Sequence, residues 1–272
     1  MNVSFEPLSA TGTGTLAVPV ATAGGLAPTA AALDRAAHGL VARALALAPP
    51  PLERGQTVDV VLPVDGGGFE RVLLVGAGPA EALDEAKALE LGATLAKAAA
   101  ARKLEALTVL AELEGDPLPA GALAAAIAEG AALRTYRFDQ LKSSAGEAPT
   151  LARLAVRTAE PAALEGRAEA MTAVVEGVHL CRDLVNRPAS HLDTDAFVEA
   201  ARALHELGVD VEVLDRAAME ELGMGALLGV AKGSRMPPYT VLMRWQGTAE
   251  ATAPLALVGK GVVFDSGGLS LK

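Results

Sequence analysis

The sequence predicts an α/β fold in two domains, an N-terminal mixed-sheet α/β domain over residues 1–159 and a second α/β domain over residues 160–272. Three observations carry this. Short β-branched runs alternate with longer Ala- and Leu-rich runs along the chain, the pattern of interleaved strands and helices. The 272 residues, 51% of them hydrophobic, suffice for two packed cores. Aromatic residues make up only 3%, so Ala, Leu and Val fill the apolar positions, a composition suited to close helix–sheet packing.

In the first domain, Val3–Phe5 and Thr15–Val20 read as strands, and Thr29–Leu47 as one helix stopped by the prolines at 49–51. "TVDVVLPV" and "FERVLLVG" flank "DGGG" at 65–68, two β-branched runs on a Gly-rich turn, which predicts a hairpin. Ala80–Lys103 reads as a helix, Leu107–Leu110 as a buried strand and Pro119–Leu133 as another helix. Thr135–Ser143 resumes the alternation of an extended segment, 143–150 reads as a loop, and Leu151–Arg157 as a last strand.

The second domain opens with one long helix, Pro161–Asn186, with the proline near its first turn and "NRP" closing it. Thr194–Leu207 follows as a helix with Thr194 as N-cap. "VDVEVL" reads as a strand, Arg216–Leu222 as a short helix, and "YTVLMRW" and "LALVG" as two further strands. Neither an internal repeat nor a low-complexity tail is visible.

A formal net charge of −10 argues against a general nucleic-acid or anionic-membrane binder. Cys181 is the single cysteine, which rules out an intrachain disulfide and fits a reducing compartment. The N-terminus lacks a basic region followed by an apolar core, so it does not read as a signal peptide. The most apolar run, 120–133, is broken by Glu129 and too short to span a bilayer. A cytoplasmic protein is the expectation.

Most motifs read as structure. In "VLLVGAGPAEAL" the third glycine of a dinucleotide fingerprint is replaced by Glu81, so a plain strand-to-helix turn is expected, with a nucleotide-binding oxidoreductase as the rival. "GKG" at 259–261 fails as a phosphate loop, because Gly261 stands where Ser or Thr would hold magnesium. His179 and Cys181 lie on different faces of a helix, and His205 reads as helix surface. "HLDTD" at 191–195 suits the capped start of the next helix better than a metal site.

The segment "LVGKGVVFDSGGLSLK", 257–272, is different. A short apolar strand would place Lys260 and Asp265 at its carboxyl end, where α/β sheets put ligands. Gly267 and Gly268 permit close backbone approach to a bound group, and Ser270 and Lys272 share a face if extended. Chemistry alone reads two lysines and an aspartate first as an ion-pair network.

"VGKGVVFDSGGLSLK" also resembles, nearly residue for residue, the metal-binding and catalytic segment of the leucyl aminopeptidases of the M17 type. "CRDLVNRPASHLDTDAFVEAARAL", "MGALLGVAKGSRMPPYTVLMRW" and "LRTYRFDQLKSS" are similar to that family's segments upstream. The resemblance implies a two-domain α/β aminopeptidase with two divalent metal ions, zinc or manganese. It makes Lys260 a metal ligand through its amine, Asp265 a carboxylate ligand shared by both ions, and Lys272 the catalytic lysine on the substrate carbonyl. It further implies a cytoplasmic homohexamer that removes N-terminal residues, leucine-type preferred, from peptides with a free N-terminus. The rival within the resemblance is a non-catalytic or DNA-binding relative. The family's remaining ligands lie beyond the position of Lys272, so these 272 residues are not expected to complete the metal centre alone.

The implied roles are chemically distinct. An ammonium has no lone pair, so Lys260 must be neutral to bind a metal. Neutralising a lysine of ordinary pKa at pH 7 costs about 4–5 kcal/mol, which a dication at the nitrogen can supply. Lys272 keeps its proton, because its task is to stabilise developing negative charge.

Overall fold

The computed structural model describes residues 1–22, 24–48, 52–63, 68–144, 151–164, 166–248 and 253–264. Two compact units separate within the chain, Met1–His179 and Leu180–Lys272.

The first unit is built on a six-stranded sheet. Its strands are β1 (Asn2–Pro7), β2 (Gly14–Ala21), β3 (Thr57–Val61), β4 (Phe69–Gly78), β5 (Ala106–Leu110) and β6 (Arg153–Thr158). They lie in the order β1-β6-β5-β2-β4-β3. All neighbours are parallel except β3, which pairs antiparallel with β4 as the hairpin motif predicted. The mixed sheet expected from the sequence is therefore present. The predicted turn of that hairpin lies largely outside the described residues.

Helices cover both faces of the sheet, as parallel strands require. Leu16, Val18, Val72 and Leu74 face α1 (Pro28–Ala36) and α2 (Leu40–Leu47) in one core. Leu73, Val75, Val109 and Val156 face α3 (Glu85–Ala101) and α4 (Ala122–Arg134) in the other. Residues 72–78 of β4 are all buried, so this strand reads as a continuous apolar run rather than an alternating one.

Several boundaries differ from expectation for local reasons. The single helix predicted over Thr29–Leu47 is two helices. His38 and Gly39 adopt positive φ between them (54° and 78°), and the Asp34 carboxylate accepts hydrogen bonds from Val41 N (2.8 Å) and Ala42 N (3.0 Å). Asp34 thus caps α2 from within the preceding helix. Residues 80–82 form a 3-10 turn, and α3 begins only after Asp84, whose carboxylate accepts from Lys87 N at 2.8 Å. Thr135–Ser143 forms no strand: Thr135 ends α4, residues 136–139 are irregular and 140–141 form a turn. Pro161–Leu164 is a 3-10 turn, and α5 (Arg167–Asn186) starts after Gly166 at φ 74°, so the predicted helix from Pro161 is interrupted. The division between the two units falls inside α5.

α3 and α4 meet at backbone distance. A methyl group on Gly92 of α3 would lie 2.1 Å from the Ile127 carbonyl oxygen, and one on Gly130 of α4 would lie 1.9 Å from that of Leu89. Only glycine fits at either position. α4 is buried on every side, with Leu123–Ala128 and Gly130–Ala132 all enclosed; Leu164, Met171 and Val175 join the same core.

The glycines of "VGAG" have an equally local explanation. Gly76 exchanges backbone hydrogen bonds with the turn before β3, Gly55 N to Gly76 O and Gly76 N to Gln56 O, both 3.0 Å. A methyl on Gly76 would lie 2.0 Å from the Glu53 carbonyl oxygen. Gly78, at φ 86°, sits against the Arg54 guanidinium. Packing of the 53–56 turn on Gly76 accounts for the first of these glycines without a bound ligand, in line with the strand-to-helix turn reading.

The second unit holds the later part of α5, α6 (Thr194–Ala203), β7 (Asp210–Leu214), α7 (Arg216–Glu221), α8 (Gly225–Ala231) and β8 (Thr240–Arg244). β7 and β8 pair antiparallel, with Val213 opposite Val241. Leu204–Leu207 continues α6 only as a 3-10 turn, which Gly208 ends at φ 85°. α8 is an element the sequence pattern does not announce, since its residues, "GALLGVA", form a short apolar run interrupted by glycine.

Two outcomes follow. Gly92→Ala and Gly130→Ala should each lower unfolding stability by about 1–3 kcal/mol, the usual cost of overpacking. Gly177→Ala, in α5 with open space around it, should raise stability by about 0.5–1 kcal/mol. Urea midpoints compare the three, and equal effects at all of them would remove the close-approach argument. Millimolar NAD should leave the melting temperature unmoved, because a ligand specific for the native state would raise it; a rise of several degrees would restore the nucleotide reading.

Candidate metal centre

Of the three residues singled out by sequence, only Lys260 lies among the described residues; Asp265 and Lys272 lie outside them, as do Gly267, Gly268 and Ser270. Lys260 stands on an irregular segment, 253–264, with its side chain exposed. The strand expected over Leu255–Gly259 does not form. A strand exists only as part of a hydrogen-bonded ladder, and β7 and β8 pair with each other and with no described residue of this segment. Leu255, Leu257 and Val258 are accordingly 87%, 89% and 98% exposed.

The turn at Lys260 is nevertheless shaped. Val262 N donates to the Lys260 carbonyl at 3.0 Å, a three-residue turn centred on Gly261. Gly261 lies against the Phe197 ring of α6. α6 is in turn placed by Asp193, whose carboxylate accepts from Ala196 N at 2.9 Å. The cap is therefore Asp193 and not Thr194, because the Asp193 backbone is extended while its oxygen reaches the third residue on. Asp195 accepts the Tyr239 hydroxyl at 2.7 Å, tying the first turn of α6 to the start of β8. That hydrogen bond raises the Tyr239 pKa above its ordinary value and keeps the phenol protonated. The aspartates of "DTD" thus serve capping and bracing, as expected.

Beside β7, Arg244 pairs across the ladder with Asp210 (3.2 Å) and Glu212 (3.0 Å), whose carboxylates raise its pKa. The histidines are occupied elsewhere or isolated from one another. The His191 ring nitrogen meets the Ser190 hydroxyl at 3.0 Å, His205 Nδ1 donates to the Val209 carbonyl at 3.2 Å, and the His179 ring lies 5.2 Å from that of Tyr136. Among the described residues no group of three or more His, Cys, Asp or Glu could hold a metal ion. Also among them, no helix is long and apolar enough to cross a membrane.

The donor set the sequence offers at 260–265 is one amine and one carboxylate. Nitrogen and oxygen donors of this kind suit zinc and manganese. Sequence reasoning treats Gly261 only as the failed magnesium position of a phosphate loop and does not anticipate its contact with the Phe197 ring.

Comparison with known proteins supplies the family. The N-terminal domain of the cytosol aminopeptidase family matches residues 17–145, and the catalytic domain of the same family matches residues 179–272. A probable cytosol aminopeptidase of Chelativorans sp. (strain BNC1) is 40% identical over 273 residues, covering 99% of this chain and 54% of that protein. One from Rhodopseudomonas palustris (strain BisA53) is 43% identical over 220 residues, covering 80% and 44%. The chain thus spans about half the length of the curated relatives it matches. A mutant of tomato leucine aminopeptidase superposes with a TM-score of 0.77 at 25% identity, over 92% of this chain and 52% of that one. The bottromycin maturation enzyme BotP in complex with Mn superposes with a TM-score of 0.63 at 32% identity, over 85% and 45%. With both of the family's domains matched in order on one α/β chain, this protein belongs to the cytosol aminopeptidase family.

Proposed function

We propose that the protein acts as a metal-dependent aminopeptidase that removes N-terminal residues, leucine-type preferred, from peptides with a free N-terminus. The observation that carries the reading is the run Lys260-x4-Asp265-x6-Lys272 inside the matched catalytic domain. Residues 1–159 form the N-terminal domain in this reading, and the catalytic domain begins at 160. The ions are two, zinc or manganese, the protein is cytoplasmic, and the assembly is a homohexamer. The manganese in the BotP complex supports metal dependence in a relative of this fold. The net charge of −10 weighs against the DNA-binding alternative.

Each side chain has a separate task. Lys260 would hold one ion through its amine nitrogen, which can coordinate only as the neutral amine with a free lone pair. Asp265 would be the carboxylate ligand shared by the two ions. Lys272 remains an ammonium and donates to the substrate carbonyl oxygen as negative charge develops there. When bound, the ions supply Lewis acidity to the carbonyl and to the attacking water.

Three measurements bear on this in protein that carries the family's complete catalytic domain. Hydrolysis of leucine amide should depend on added zinc or manganese, and its persistence after chelation would end the proposal. Lys260→Arg should lose metal, because a guanidinium keeps its charge and cannot coordinate; undiminished zinc by elemental analysis would overturn the ligand role. Lys272→Ala should keep its metal and lower kcat by about 10²–10³, the cost of one lost oxyanion donor. If metal is lost instead, Lys272 is a ligand and the assigned roles are wrong.

A further inference from the structure

We infer that Phe197 is a positioning residue for Lys260: its ring, carried on α6, holds the Gly261 turn from which the Lys260 amine is presented. The inference rests on the proposed role of Lys260 as a metal ligand and adds to it a residue 63 positions earlier in the chain.

The argument starts from the glycine. A methyl group built on Gly261 would lie 2.8 Å from Cε1 of Phe197, 3.3 Å from Cδ1 and 3.7 Å from Cζ. These three atoms run along one edge of the ring, so that edge lies against the Gly261 backbone. Gly261 does not have a positive φ. Its backbone conformation is therefore one that any residue adopts, and conformational freedom does not explain the glycine. The ring does: a side chain at 261 would require the Phe197 ring to move from its place.

The consequence reaches Lys260 through one bond. The Lys260 carbonyl accepts from Val262 N across Gly261, so fixing Gly261 fixes the turn on both sides. Leu257 and Val258, just before it, are 89% and 98% exposed and give the segment little packing of their own. Phe197 itself is 36% exposed, with the next residue of α6, Val198, buried in the unit. The ring thus stands on an anchored helix and reaches an otherwise open turn. A lysine amine on its long flexible stem meets a metal reproducibly only if its backbone is held. Loss of an outer-shell partner hydrogen-bonded to a metal ligand costs about 10–100-fold in metal affinity, and a packing contact one residue away is expected at the lower end of that range.

The test is a double-mutant cycle in protein that carries the family's complete catalytic domain, with Phe197→Ala, Gly261→Ala and the pair. Two quantities are read on each variant. One is the rate of tryptic cleavage after Lys260 in metal-free protein, which reports the order of the turn without involving metal. The other is zinc affinity by chelator competition. Phe197→Ala should raise cleavage several-fold and weaken zinc binding by about tenfold or more. Gly261→Ala should do the same when Phe197 is present. In the Phe197→Ala background the added methyl should change either quantity less than about twofold, because the ring it would strike is gone. A general folding defect would act alike in both backgrounds, and equal effects of Gly261→Ala in the two would overturn the proposal. Coupled cleavage rates with unchanged zinc affinity would also overturn it as a metal-positioning contact. Lys260→Gln then separates the causes: zinc loss in that variant leaves the ligand role standing and removes only Phe197, whereas no loss removes the ligand role itself.

Discussion

The constraint on which the first unit depends is the contact between α3 and α4. Two glycines, Gly92 and Gly130, bring each helix backbone against a carbonyl of the other. At that separation α4 can lie flush in its layer and be enclosed on every side. Its sequence follows from this position. A helix with no solvent face has no use for a polar stripe, and α4 carries Glu129 alone among its charged residues before the final Arg134. Alanine predominates along it, with Leu123 and Ile127 as the larger side chains that fill the buried space around it. The two helices flank β5 in sequence, so the same contact seats the central strands beneath them.

A second constraint acts at the other end of the sheet. β4 is buried on both faces, and Gly76 lets the turn at 53–56 fold back onto it before β3 begins. The Asp59 carboxylate of β3 takes hydrogen bonds from the Arg102 guanidinium at the end of α3, which hold it below the usual carboxylate range. The edge strand is thus fastened both through backbone and through charge.

Much of this was legible in the sequence, and the failures have a common cause. Strands and helices were found where periodicity was strong: the 57–61/69–78 hairpin, the buried strand at 106–110, the helices after Asp84 and Gly121. The misses are interruptions made by single residues. Asp34 and Gly39 split one helix into two, Gly166 delays another, and Asp193 rather than Thr194 makes a cap. Each depends on one side chain or one φ angle, below what a hydrophobic pattern records. The strand read at 255–259 shows a different limit, since an apolar run marks what could join a ladder and says nothing of its partner. At the candidate centre the motif was legible only through its resemblance to a known family segment, because two lysines and an aspartate by themselves read equally as an ion-pair network. The phenylalanine behind it was not, because nothing in the sequence links positions 197 and 261.

The register of β1 carries a consequence for how the protein is made. Asn2 pairs with Arg153 and Pro7 with Thr158, so the first strand has its one neighbour about 150 residues later. At a synthesis rate of roughly 5–20 residues per second, β1 emerges from the ribosome roughly 8–30 s before its partner. During that interval β2 to β5 can assemble without it, since their ladder does not pass through β1. Long-range closures of this kind are slow and come late. The nascent chain must therefore carry an unpaired strand while the intervening residues are made, and the acidic Glu6 followed by Pro7 at that strand's end disfavours its pairing with a neighbouring chain in the meantime.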